Sequence, residues 1–156
     1  MRKIKDIISK PSQAIRAMVE GLKAQSLRKD FVIEMGTFGR LQDQLCAGCA
    51  ATCAIQQIAG KNFTDWRIEK VLSRANFLYF EMGDLDYFEA IIDCIRQAEG
   101  LECLFHYFGI DTYSLGEYEY KAIGRAFNNL PVMTTYQESQ CAEYESFASL
   151  LESFGY

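Results

Sequence analysis

The sequence predicts a mainly α fold: a single-domain helical bundle of about six or seven helices around a central, apolar Cys/Ala-rich helix, with at most one or two short strands. Three observations lead there. Apolar residues recur at helical spacing along most of the chain. Two segments open on capping-box patterns. Residues 45–60, LCAGCAATCAIQQIAG, carry no charge. At 156 residues, 49% of them apolar, the chain has the size of one domain with a sizeable core. Only two prolines interrupt it and no Gly/Ser linker or repeat marks a boundary, so residues 1–156 are expected to form one helical domain.

The first 29 residues read as a basic amphipathic segment. After Pro11, the residues Ile15, Met18, Val19 and Leu22 fall at i, i+3, i+4 and i+7, one apolar stripe with Arg16 and Lys23 outside it. Residues 31–35, FVIEM, suit a short strand ended by the turn residues GTFG. The uncharged run is expected to be the central helix. At about 100° per residue, Cys46, Cys49 and Cys53 share a sector of roughly 60° on one face, with Gln57 beside them. Ala51, Ile55 and Ile58 make the opposite face apolar as well, and a helix with so little surface suited to water belongs inside a fold.

Gly60 closes that helix. Thr64 caps the next, with Phe63 placed to staple onto Ile68, and it runs to about residue 80. Gly83 and Asp84 mark a further stop and start, after which Leu85, Phe88, Ile91, Ile92 and Ile95 trace a helix that ends at Gly100. Residues 101–108 fit a buried strand or a continued helix, since periodicity does not separate the two in a short apolar run. Ser114 with Glu117, and Thr135 with Glu138, have capping-box spacing. Behind them run the stripes Leu115, Tyr118, Ala122, Ile123, Ala126, Phe127 and Tyr144, Phe147, Ala148, Leu151, Phe154.

The formal charge of −5 conceals an asymmetry. Residues 1–75 hold 13 Lys/Arg against 7 Asp/Glu, while residues 76–156 hold 3 against 14, and all nine tyrosines lie in the acidic part. Such a field repels nucleic-acid phosphates and attracts a basic protein, so nucleic acid is not expected as a partner. In MRKIKDIISK, Asp6 and Lys10 break the N-terminus before a signal-peptide apolar stretch develops, and the uncharged run is too short and too polar to span a bilayer. A cytoplasmic location with six reduced thiols follows as the expectation. The basic N-terminal helix is expected to dock on the core through its stripe; the alternatives are an anionic membrane surface, or the acidic half of another copy in a homo-oligomer.

Three roles are open to the cysteine run. Cysteine packs as a small hydrophobe, and beside Ala47, Gly48, Ala50, Ala51 and Ala54 it lets helices approach closely, which is the preferred reading. A metal site would draw three ligands from C-x2-C-x3-C and more from Cys103 and His106, but more than fifty residues separate the two groups, unlike compact fingers, so no metal or cofactor is expected. The third role is a nucleophile, which needs a helix N-terminus or a neighbouring cation to lower the thiol's pKa. The order Gln44, Leu45, Cys46, Ala47, Gly48, Cys49 resembles papain-like cysteine peptidases, which place a Gln a few residues before a Cys that opens a central helix. That resemblance implies a cysteine-dependent hydrolase or transferase with Cys49 or Cys46 as nucleophile, His106 as base and Gln44 as oxyanion donor. No Gly follows Cys49, and no Asn or Asp motif is recognisable downstream of His106.

A single histidine excludes sites that need two imidazoles, and no HExxH, P-loop, GxGxxG or EF-hand pattern occurs. Asp86, Glu89 and Asp93 share a helix face turned from Phe88, Ile91 and Ile92. Tyr79, Tyr87, Tyr113, Tyr120 and Tyr136 stand off the clearest stripes, among carboxylates. Tyrosine supplies contact area at low entropic cost and carboxylates steer a basic partner, so Asp86, Glu89, Asp93, Tyr87, Glu117 and Tyr120 are the candidate binding residues. The leading expectation is a non-enzymatic, acidic protein-binding module, inhibitor-like or immunity-like in character, that captures a basic protein. The thiol enzyme and a self-associating scaffold subunit are the alternatives.

Overall fold

A computed structural model describes residues 8–34, 40–42, 45–59, 90–95, 100–132 and 136–156. The protein is mainly helical. Helix α1 (Pro11–Ser26) begins at Pro11, where the absent N–H has no intrahelical partner to lose. Gln13 folds back over this end, and its Oε1 accepts from the backbone N–H groups of Ser9 at 2.8 Å and Lys10 at 3.1 Å. The stripe Ile15, Met18, Val19 and Leu22 is buried in the core, as its spacing requires.

Three short strands follow, β1 (Phe31–Ile33), β2 (Arg40–Gln42) and β3 (Leu45–Gly48), in the order β1-β3-β2. Strand β3 is central, parallel to β1 and antiparallel to β2, with Cys46 opposite Phe31 on one side and Leu41 on the other. This corrects two expectations, at most one or two strands and a helix that already includes Cys46. The backbone of β3 pairs on both edges, and such long-range pairing overrides a local apolar pattern that is equally compatible with strand and helix.

Helix α2 (Ala50–Ala59) starts only after Cys49, whose carbonyl accepts the Cys53 N–H at 3.0 Å. It is central as expected: Ala50, Ala51, Cys53, Ala54 and Ile55 are all buried, and it packs along α1. The contact is closest at Gly21, where a Cβ would stand 2.3 Å from the Cys53 carbonyl oxygen. Helix α5 (Glu138–Ser153) lies against α1 as well and buries Tyr144, Phe147, Ala148 and Leu151. Arg16 and Lys23 of α1 pair with Glu152 and Glu145 of α5, so part of the chain's charge asymmetry is neutralised internally.

Residues 90–95 are helical and bury Ile91, Ile92, Cys94 and Ile95. The undecided 101–108 stretch contains helix α3 (Leu101–His106), entered at Gly100 with φ +139° and left at Gly109 with φ +67°, two conformations that favour glycine. A 3-10 turn (Thr112–Ser114) leads into helix α4 (Glu117–Asn128). The capping box expected at Ser114 does not form. Ser114 Oγ donates instead to the Asp111 carbonyl at 2.6 Å, and Gly116 occupies the N-cap of α4.

Gln137 occupies the N-cap of α5, while Thr135 lies outside the described residues. So do the expected helix from Thr64 to residue 80, with Gly60, Phe63 and Ile68, and the start of the next at Gly83, Asp84, Leu85 and Phe88. No helix among the described residues is long and apolar enough to cross a membrane.

Candidate functional site

The turn between α3 and α4 is built by Asp111. Its Oδ1 accepts from Tyr113 N–H at 3.0 Å, an Asx arrangement that closes the 3-10 turn, while Leu115 tucks into the core. Tyr113 is thereby left 95% exposed. On α4 the buried positions are Ile123 and Phe127, and the first turn carries Glu117 and Glu119, placed favourably against the positive end of the helix dipole. Tyr118, expected on the buried stripe, is instead 78% exposed, its ring edge-on to Phe154 at 6.4 Å. Tyr120 is also exposed.

These elements enclose a groove of about 370 Å³ lined by Glu102, Thr112, Tyr113, Leu115, Glu117 and Tyr120. Across it the Tyr120 hydroxyl donates to Glu102 Oε1 at 2.5 Å. That bond holds the Glu102 carboxyl below the usual carboxylate range and pushes the Tyr120 phenol up. Glu117 pairs with Lys121 one turn along at 2.8 Å, both side chains well exposed. A hollow on one flank, also bordered by Glu102, carries Lys121 and Arg125; on the other flank lie His106 and Asp111.

Of the expected binding residues, the structure brings Glu117 and Tyr120 together on this groove. Asp93 sits half-buried on the separate 90–95 helix, and Asp86, Tyr87 and Glu89 lie outside the described residues. The sequence pattern does not single out Glu102. While residues 101–108 stand equally for strand or helix, the direction of Glu102 relative to Tyr120 is undefined.

The thiols are arranged differently from the expected helical row. Cys46 is a strand residue, Cys49 precedes α2, and Cys53 lies one turn inside it. Cys49 is 6% exposed, and its sulfur contacts Thr52 Oγ1 at 3.6 Å. Burial, with a smaller contribution from Cys49, pushes the Cys53 thiol far up, so it stays protonated. His106 is exposed at the end of α3 and ring-paired with Tyr107 at 6.2 Å; no hydrogen bond joins it to Cys49, and Gln44 lies outside the described residues. Cys103, the partner of His106 in the metal reading, meets Cys94 instead. Among the described residues no group of three or more His, Cys, Asp or Glu is arranged to hold a metal ion.

Comparison with known proteins gives no match. No family model, no curated protein and no solved structure matches the chain.

Proposed function

We propose that this chain is a non-enzymatic protein-binding module whose tyrosine-lined, acidic groove between α3 and α4 captures a basic protein partner. The observation that carries the reading is Tyr113, held outward by the Asp111 turn and almost fully exposed beside Glu102 and Glu117. A large ring held out in this way costs apolar hydration in the isolated chain, and contact with a partner recovers it. Tyr118 and Tyr120 widen the same surface, and the carboxylates supply attraction for a cation. Lys121 and Arg125 border the neighbouring hollow, so the basic group fits the side bounded by Glu102, Thr112 and Glu117.

Affinity capture from native cell extract at low and high salt tests this. The expected result is a basic protein retained at low salt, released at high salt, and lost in Tyr113→Ala and Glu117→Gln variants, while Cys→Ser variants still bind. Retention unaffected by Tyr113→Ala and by salt would overturn it.

A second reading, the thiol enzyme, is favoured by one observation. Cys49 stands at the N-terminal end of α2, the position from which a cysteine that opens a helix would act. Rapid, stoichiometric iodoacetamide labelling of native Cys49 would support it, and slow labelling that tracks unfolding would count against it. The scaffold reading is weakened by the pairing of Arg16 and Lys23 with α5 of the same chain, which engages cations that a second copy would otherwise meet.

A further inference from the structure

We propose that Cys94 and Cys103 form a reversible dithiol–disulfide pair that ties the 90–95 helix to α3. Their sulfurs stand 2.8 Å apart. A disulfide bond measures about 2.05 Å, so joining them takes a closing movement of under about 1 Å. Cys94 lies on the 90–95 helix, and Cys103 lies in the first turn of α3, just past Gly100. Buried neighbours Ile91, Ile95 and Leu104 fix both backbones in the core, so the sulfurs are held together rather than meeting by chance.

Their exposures differ in the way a redox pair needs. Cys94 is 2% exposed and Cys103 is only half-buried. Cys103 is thus the sulfur that a small disulfide reaches, and Cys94 the one that resolves the adduct. The Cys103 thiol gives its proton to water, and its thiolate attacks one sulfur of a low-molecular-weight disulfide. That S–S bond breaks, one thiolate leaves, and a mixed disulfide remains on Cys103. Cys94 then loses its proton, its thiolate attacks the Cys103 sulfur, and the second small thiolate leaves. Two cysteine thiols are oxidised to one disulfide, and one small disulfide is reduced to two thiols.

The link would act on the groove through sequence adjacency. Cys103 follows Glu102, the acceptor of the Tyr120 hydroxyl, so oxidation fixes the turn of α3 that carries this carboxylate. The pair itself is independent of the binding reading, because it is detected without any partner.

The full-length native protein is equilibrated in glutathione buffers of rising disulfide-to-thiol ratio, then unfolded in denaturant containing iodoacetamide so that every remaining thiol is alkylated, digested with trypsin and analysed by mass spectrometry. Arg96 lies between the two cysteines, so trypsin places them on different peptides that only a disulfide holds together. The expected result is that linked pair, with the loss of two of the chain's six alkylation sites and full recovery of both on reduction. Cys103→Ser should abolish the link and leave Cys94 alkylatable after unfolding. Glutathione adducts on Cys103 that never resolve, or a link from either residue to another cysteine in preference, would overturn the proposal.

Discussion

Arg16 on the first described helix grips Glu152 on the last, with Nε 3.0 Å from Oε1 and Nη2 3.2 Å from Oε2. Lys23 and Glu145 repeat the pairing further along the same seam. The sequence contrast between a basic first half and an acidic second half is thus partly an internal device, with cations of α1 facing carboxylates of α5. The acids of α3 and α4 belong to a different surface, where they share a groove with tyrosines.

Removing the α1–α5 pair should give a small, pH-dependent effect. The hydrogen bond from Arg16 holds the Glu152 carboxyl below its usual range. A carboxyl whose folded pKa is lowered contributes stability that is present above its unfolded pKa and is lost as pH falls through the folded one. Glu152→Gln should therefore melt slightly below the parent at neutral pH, and the gap should close on acidification below the ordinary carboxylate range. Because Glu152 is well exposed, added salt should also narrow the gap. Thermal midpoints measured against pH at two ionic strengths check this, and a gap independent of pH would count against it.

Gly21 should be intolerant of any side chain. Its missing Cβ faces backbone atoms of α2, Cys53 O at 2.3 Å and Ala54 N at 2.8 Å, which cannot swing aside as a flexible side chain would. Gly21→Ala should force the two helices apart and cost about 1–3 kcal/mol. Gly124, within α4, meets nothing within 4 Å, so Gly124→Ala should instead stabilise by roughly 0.5–1 kcal/mol through helix propensity. Urea unfolding of the two variants should move the midpoint in opposite directions.

Tyr144 ties three parts of the core together. It is fully buried on α5, and its hydroxyl donates to the Pro131 carbonyl at 2.6 Å and lies 3.2 Å from the Ile95 carbonyl. Tyr144→Phe keeps the ring and removes the donor, leaving buried acceptors short of a partner, so a loss of about 1–3 kcal/mol is expected. Chemical denaturation measures it. A loss below a few tenths of a kcal/mol would mean that water replaces the hydroxyl.

What could be read in advance follows from where the information sits. The stripe of α1, the α5 positions Tyr144, Phe147, Ala148 and Leu151, and the pair Ile123–Phe127 are local patterns of period 3.6, and the structure buries them as read, while Phe154, past the end of α5, is only partly buried. Strand β3 was not legible because its pairing partners, residues 31–33 and 40–42, are chosen by tertiary contact, and LCAG by itself suits either state. The groove was half legible. Tyr113 and Tyr120 stand off the stripes among carboxylates, whereas Glu102 joins them only once 101–106 is known to be helical.

Cys53 should be the least reactive of the described thiols. It is fully buried in α2, and desolvation, helped by Cys49, raises its pKa far above that of an ordinary thiol, so the nucleophilic thiolate is scarce at neutral pH. Iodoacetamide should therefore label half-buried Cys103 first, and Cys53 only as the core opens. Its labelling rate should rise with denaturant, as opening of the core returns the thiol to solvent. Site-resolved mass spectrometry over a labelling time course gives the order. If Cys53 matched Cys103 in the absence of denaturant, α2 would have to be open to solvent on its cysteine side, and a chemical role for that helix would regain its footing.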